Sequence, residues 1–192
     1  MARAGEHYEC VEVRSREAWR AWLAANHGRR ESVWLVTFKK GHPDHVPYAD
    51  TVREALCFGW IDSVPRKVDA ERTSHLMSPR KPSSAWSALN KRHVEELERD
   101  GLMAPPGAAA VERARANGMW TFLDDVERLE VPTDLAESLA GQCGARAAWD
   151  AFPPSARRGM LAWLKQAKRP GTRASRIARI ASAAANGRRA LG

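Results

Sequence analysis

Every strand-like pattern in this chain lies before residue 80, and the segments that follow are bounded by Pro or Gly and read as helices. That segregation predicts an α+β class with a helix-rich second half. The run SVWLVTFKK, 32 to 40, is β-branched and aromatic without a helical period, which predicts a buried strand ending in two lysines. From Trp60 the chain alternates loosely through WIDSVPRKVD, turns at Ala70 and Glu71, and returns through RTSHLMS as a hairpin. The expectation is a small, mostly antiparallel sheet of about three strands packed by helices.

Helix signals frame these strands. Ser15 caps a helix to about Asn26, with Trp19, Trp22 and Leu23 on one face and Gly28 as the stop. Asp50 to Phe58 reads as a short helix with Gly59 at the position where a left-handed residue is cheap. In PRKPSSAW, two prolines precede Ser83 or Ser84 as the cap of a helix closing at Gly101. Further helices are expected over 107–117, 133–140, 144–151, 154–167 and 171–186. The pair Pro153–Pro154 marks the boundary between a 1–152 α+β domain and a 153–192 basic helical module packed on it.

Charge supports that boundary. After Asp150 there is no acidic residue, while ten Lys or Arg follow, so the whole net charge of +8 arises in the last fifth of the chain. Three cysteines without a CxxC spacing argue against a disulfide framework or zinc cluster and suit a reducing compartment. MARAGEHYECVEV lacks an apolar h-region, and no stretch approaches the roughly 18 apolar residues of a membrane span. A cytoplasmic location without a membrane span is therefore expected.

Asp62 is the first chemical candidate. Alternation places Trp60, Asp62 and Val64 on one strand face, so a carboxylate stands between apolar neighbours and needs a partner. Lys39, Lys40, Arg66, Arg72, Arg80 and Lys81 are the candidates. Asp62 is either a structural ion pair or cap, or the acid of a pocket. Trp86, Ser87 and Asn90 form a second candidate: on a helix Trp86 and Asn90 are i and i+4, and Ser87 and Asn90 are i and i+3, so that an indole, a hydroxyl and an amide share one surface; the alternative is an ordinary core face. Cys57 lies near a helix C-terminus, where thiolates are not favoured, and reads as core. His42 and His45 have a metal-like spacing without a third ligand, so no metal is assigned. No Walker loop, GxGxxG, GxSxG or HExxH is present, and no cofactor is expected. In the last helix Arg173, Arg176 and Arg179 form a stripe beside Ile177, Ile180, Ala181 and Ala184, either a solvated face or a contact for nucleic acid or an acidic protein.

The segments EALCFGWIDS, PRKPSSAWSALN and AKRPGTRASRI, in that order, resemble the bacterial YdeI/OmpD-associated family, also called bacteriocin-protection proteins, over roughly residues 30 to 190. The resemblance implies protection against bacteriocins or cationic peptides through an outer-membrane porin. It also implies a site among Lys39, Tyr48, Glu54, Gly59, Trp60, Asp62, Arg72, Arg80, Trp86, Ser87 and Asn90. The leading expectation is a stress- or resistance-associated protein binding a small polar or heteroaromatic ligand in a pocket walled by Trp60 and Trp86 and anchored by Asp62, Arg80, Ser87 and Asn90. The alternatives are an enzyme using Asp62 as general acid or base, with Arg80 or Lys39 holding an anion and Cys57 or Tyr48 assisting, and a nucleic-acid or regulatory partner held by the basic C-terminal helices.

Overall fold

The computed structural model describes residues 8–191; residues 1–7, on which part of the export-signal expectation rests, and Gly192 lie outside the described residues. The chain is α+β and divides into two compact units, one running to Thr121 and one from Phe122 onward.

The first unit holds β1 (Cys10–Glu12), α1 (Arg16–Asn26), β2 (Val33–Phe38), α2 (Tyr48–Cys57), β3 (Trp60–Lys67), β4 (Arg72–Pro79), α3 (Ala88–Arg99) and α4 (Pro105–Ala116). The sheet is open and mixed, in the order β1-β2-β4-β3, with β1 parallel to β2 and the other pairs antiparallel. The expected hairpin and central strand are present. One strand more than expected is added by β1, whose three residues are too few to show a period and whose partner is more than twenty residues away.

Every residue of β2 is buried. Val33 and Leu35 enter the helix-covered core. On the opposite face Trp34 lies under the Arg66 guanidinium, 4.0 Å from its ring centroid, and Phe38 stacks on His42 with ring centroids 4.1 Å apart. Long cationic and aromatic side chains therefore shield a sheet face that no helix needs to cover.

The Ser15 hydroxyl accepts the Ala18 N–H at 3.1 Å and starts α1 as expected. Trp19 and Trp22 stack with centroids 5.2 Å apart, and Trp22 meets Trp60 edge-on at 5.7 Å. Trp60 is 0% exposed and donates its indole N–H to the His27 carbonyl. These three indoles bind α1 to the start of β3. Helix α2 contacts α1, α3, α4 and β3, so six of its ten residues are buried, including Glu54. It ends at Gly59, whose φ of +74° turns the chain into β3.

Trp60 and Asp62 pair with Pro79 and Met77 in regular register, so they stand on the same sheet face as expected. Beyond Asp62 the expected alternation fails. Asp62 pairs with Met77 and Pro65 with His75, so β3 carries one extra residue in a bulge, and Val64 is 57% exposed instead of sharing the Trp60 face.

The second unit contains α5 (Asp124–Glu127), α6 (Thr133–Ala140), α7 (Ala145–Ala151), α8 (Pro154–Lys165) and α9 (Pro170–Ala185). Leu135, Leu139, Trp149, Met160, Leu164, Ile177 and Ile180 form its core. The compositional break at Pro153–Pro154 falls inside this unit, between α7 and α8, because Trp149 before it and Met160 after it share that core.

Candidate functional site

A cleft of about 280 Å³ opens in the first unit where α2 and α3 begin beside β3. The first two turns of α2 contribute Tyr48, Ala49 and Val52, β3 contributes Asp62, and the start of α3 contributes Ser87, Leu89, Asn90 and His93.

Local sequence positions each group. Pro47 precedes Tyr48 and fixes the entry to α2, which places the phenol at the first helical position. Ser87, not Ser83 or Ser84, caps α3; its hydroxyl accepts the Asn90 N–H at 3.3 Å. The helix therefore begins at Ala88, and Trp86 falls outside it. The expected surface of indole, hydroxyl and amide on one helix face does not form, because Trp86 turns into the core and Ser87 is spent as a cap. Asn90 and His93, three residues apart, share the helix face that lines the cleft.

The Tyr48 hydroxyl donates to Oδ2 of Asp62. No Lys or Arg forms an ion pair with Asp62 among the described residues, so the expected cationic partner is replaced by a phenol. Burial, joined by the hydrogen bond to the Asp62 carboxylate, pushes the Tyr48 hydroxyl pKa up, which keeps it a proton donor. The His75 ring lies 4.5 Å from the Tyr48 ring, and burial lowers its pKa against the opposing pull of Asp62, favouring a neutral imidazole. His93 Nδ1 lies 3.3 Å from Arg53 Nη1, and Arg53 is itself paired with Glu96. One end of the cleft thus offers an oriented carboxylate, while Val52, Ala49 and the half-exposed Leu89 supply apolar wall.

Of the expected site residues, Tyr48, Asp62, Ser87 and Asn90 come together here. The others do not line the cleft. Trp60 and Trp86 are 0% and 1% exposed and belong to the core, so neither walls the cleft. Lys39 donates to the carbonyls of Asp69 and Ala70 at 2.7 and 2.9 Å and closes the β3–β4 turn. Arg72 pairs with Asp69 and Glu12 across the same end of the sheet. Arg80 is buried with its guanidinium 3.7 Å from the Trp86 ring centroid. Cys57 is buried, and burial pushes its thiol pKa up, as suits a core residue. His45 Nδ1 meets the Phe38 carbonyl at 2.7 Å, while His42 stacks on Phe38. Among the described residues no group of three or more His, Cys, Asp or Glu is arranged to hold a metal. His93 was missed by the sequence reading, although its spacing of three from Asn90 on an amphipathic helix was visible.

In the second unit the arginine stripe is engaged at home. Arg173 forks onto Asp134 with contacts of 2.6 and 2.9 Å, Arg176 donates to the Trp163 carbonyl, and Arg179 donates to the Ala190 carbonyl at 3.1 Å. Replacing Arg173 with alanine is expected to destabilise this unit by about 0.5–1 kcal/mol, the range for a partly exposed ion pair. Arg173 holds the Asp134 carboxyl below its usual range. The stabilisation is therefore full above the unfolded carboxyl pKa of about 4 and fades as pH falls through the lower folded value. Urea titrations of wild type and variant should differ at pH 7 and converge near pH 2; an equal gap at both would reject the pair as the source.

These two units also separate in comparison with known families. Residues 11–110 match the family model described as a domain of unknown function (DUF8412), and residues 128–187 match the model described as Bacteriocin-protection, YdeI or OmpD-Associated. The molecule is thus an α+β domain bearing the cleft and a separate helical domain. Because the first match spans just over half of the sequence, the chain belongs to that family of unknown function, and it carries a YdeI/OmpD-associated domain after it. The resemblance read over residues 30 to 190 resolves into these two matches, with EALCFGWIDS and PRKPSSAWSALN in the first and AKRPGTRASRI in the second. No curated protein and no solved structure matches the chain. Among the described residues no helix is long and apolar enough to cross a membrane.

Proposed function

We propose that the N-terminal domain binds a small amino-substituted heteroaromatic or amidine ligand in the cleft between α2, α3 and β3, and that the chain serves a protective, stress-related role in the cytoplasm. The observation that carries the binding reading is the Asp62 carboxylate, oriented by Tyr48 and facing a cleft without an ion-pair partner among the described residues. Tyr48 occupies Oδ2, so Oδ1 is the natural acceptor for a ligand N–H. Asn90 supplies a second polar contact, and Val52 and Leu89 suit an apolar ring. The protective role rests on the resemblance of the C-terminal domain to the bacteriocin-protection family alone.

Adenine, cytosine and benzamidine are suitable probes. At least one should raise the melting temperature of the full chain saturably, and Asp62→Asn should weaken that ligand about 10- to 100-fold, the value of a hydrogen bond to a charged group. Unchanged affinity in Asp62→Asn, with the fold intact, would sink the proposal.

A second reading, proton transfer by Asp62 to or from a bound substrate, is favoured by the same freedom of its carboxylate from arginine. Tyr48 is then a positioning group, since its raised pKa keeps the phenol protonated and unavailable as a base. Tyr48→Phe should lower turnover without abolishing binding if this reading holds; loss of binding alone would count against it.

A further inference from the structure

A different cluster of cations in the N-terminal domain has no ion-pair partner among the described residues. Arg80 is 7% exposed, and among the described residues only one of its guanidinium nitrogens finds an acceptor, Nη1 donating to the Ala85 carbonyl at 3.1 Å. Its Nε and Nη2 are buried without an acceptor among the described residues, and so is the indole N–H of Trp86, on whose ring the guanidinium lies. Buried donors are nearly always satisfied, and an ionised one costs most when it is not. The cost is visible in the Arg80 pKa, which burial pulls down to about 10 against the opposing effect of Asp62.

Arg80 and Trp86 line a narrow cleft between the chain at 80–86 and α4. Its remaining charged walls are Lys81 and Arg113, both exposed, and neither forms an ion pair among the described residues. Among the described residues no carboxylate lines it. Ala110 and Ala114, one turn apart on α4, leave the floor low, and Asn117 holds the end of α4 to the Pro82 carbonyl at 2.8 Å. Three cationic residues and Trp86 therefore line one slot. They come from a turn and a helix that are tied together.

We propose that this slot is an oxyanion site that takes a phosphate group, with the Arg80 fork and the Trp86 N–H beneath it and Lys81 and Arg113 closing over it. A guanidinium fork matches the spacing of phosphate oxygens, and fixed burial behind the anion means that little rotamer freedom is lost on binding. The slot is too narrow for a water-sized sphere. Entry therefore requires Lys81 or Arg113 to swing outward, which two exposed side chains on the rim can do. The slot is separate from the Asp62 cleft, and its lining shares no residue with that cleft.

The test is titration of the full chain with inorganic phosphate, a sugar phosphate and a nucleoside monophosphate at constant ionic strength, with chloride as reference. Melting temperature and the indole N–H resonance of Trp86 are followed. Wild type should show saturable stabilisation by at least one phosphate and a shift of the Trp86 signal. Lys81→Ala combined with Arg113→Ala, which changes only exposed side chains, should weaken binding at least 10-fold; Arg92→Ala, an exposed arginine away from the slot, should not. Inorganic phosphate as strong as the esters identifies free phosphate as the ligand, and a tighter ester identifies a phosphorylated metabolite. A phosphate effect no larger than that of chloride, or one equal in the double variant and Arg92→Ala, overturns the proposal without touching the Asp62 reading, which is probed with uncharged or cationic ligands.

Discussion

Gly107→Ala is expected to destabilise the N-terminal domain by about 3 kcal/mol or more, the upper range for overpacking when backbone has to move. A Cβ at Gly107 would lie 2.2 Å from the Cys57 carbonyl oxygen, 2.6 Å from its carbon and 2.7 Å from the Leu56 oxygen. None of these is the end of a flexible side chain. They are the last carbonyls of α2, and the Cys57 oxygen is also bonded by the Ala104 N–H at 3.1 Å, so α4 is held against the end of α2 where the glycine removes the obstacle. Separation of the two would disturb Gly59, whose own Cβ position lies 3.1 Å from the Pro106 carbonyl oxygen, and with it the entry to β3. Urea unfolding followed by tryptophan fluorescence should show a much lower midpoint for Gly107→Ala. An unchanged midpoint would mean that α4 and α2 do not meet as described.

The second large effect concerns Glu54. Its carboxylate is 1% exposed, with Arg16 Nε at 2.5 Å and Arg20 Nη1 at 2.6 Å, and Arg20 also donates to the Leu102 carbonyl at 2.9 Å. One buried acid thus draws α1, α2 and the loop after α3 together. Glu54→Gln keeps the shape but leaves two guanidinium groups facing a neutral amide. Because both arginines are about one-third exposed, the loss is placed at about 2–3 kcal/mol, below the full cost of breaking a wholly buried pair. A double-mutant cycle with Arg20→Met should return a coupling energy above about 1 kcal/mol. Strict additivity of the two changes would remove Glu54 as the tie. This role also accounts for Glu54 without chemistry, even though the family resemblance placed it among site positions.

Much of the architecture was legible because its signals are local. Helix α6, Thr133–Ala140, has the bounds its punctuation predicts, α1 starts at the cap its Ser15 predicts, and Gly59 adopts the positive φ expected where α2 gives way to β3. The site was legible only in part. Tyr48, Asp62, Ser87 and Asn90 do converge, yet Trp60 and Trp86 do not join them, since an indole in a sequence reads equally as wall or core. The cap of α3 was placed three or four residues early, at Ser84 or Ser83, because SSAWS offers three serines in five positions, and only the contact with the Asn90 N–H selects Ser87. The boundary near Pro153 followed composition, but composition does not show that Trp149 and Met160 share one core.

The sequence by itself determined the class, the order of helices and strands, and which residue types stand near each turn, because caps, periods and glycines act within a few residues of the chain. Tertiary structure decided the partners. Asp62 faces Tyr48 instead of an arginine, and Arg173 meets Asp134 from 39 positions away. Arg80 lies buried on Trp86 with two donors unsatisfied. The physical reason is that a charge or an indole has the same local signature wherever it ends up. Its burial and its neighbour, which set what it can do, exist only once distant segments have packed.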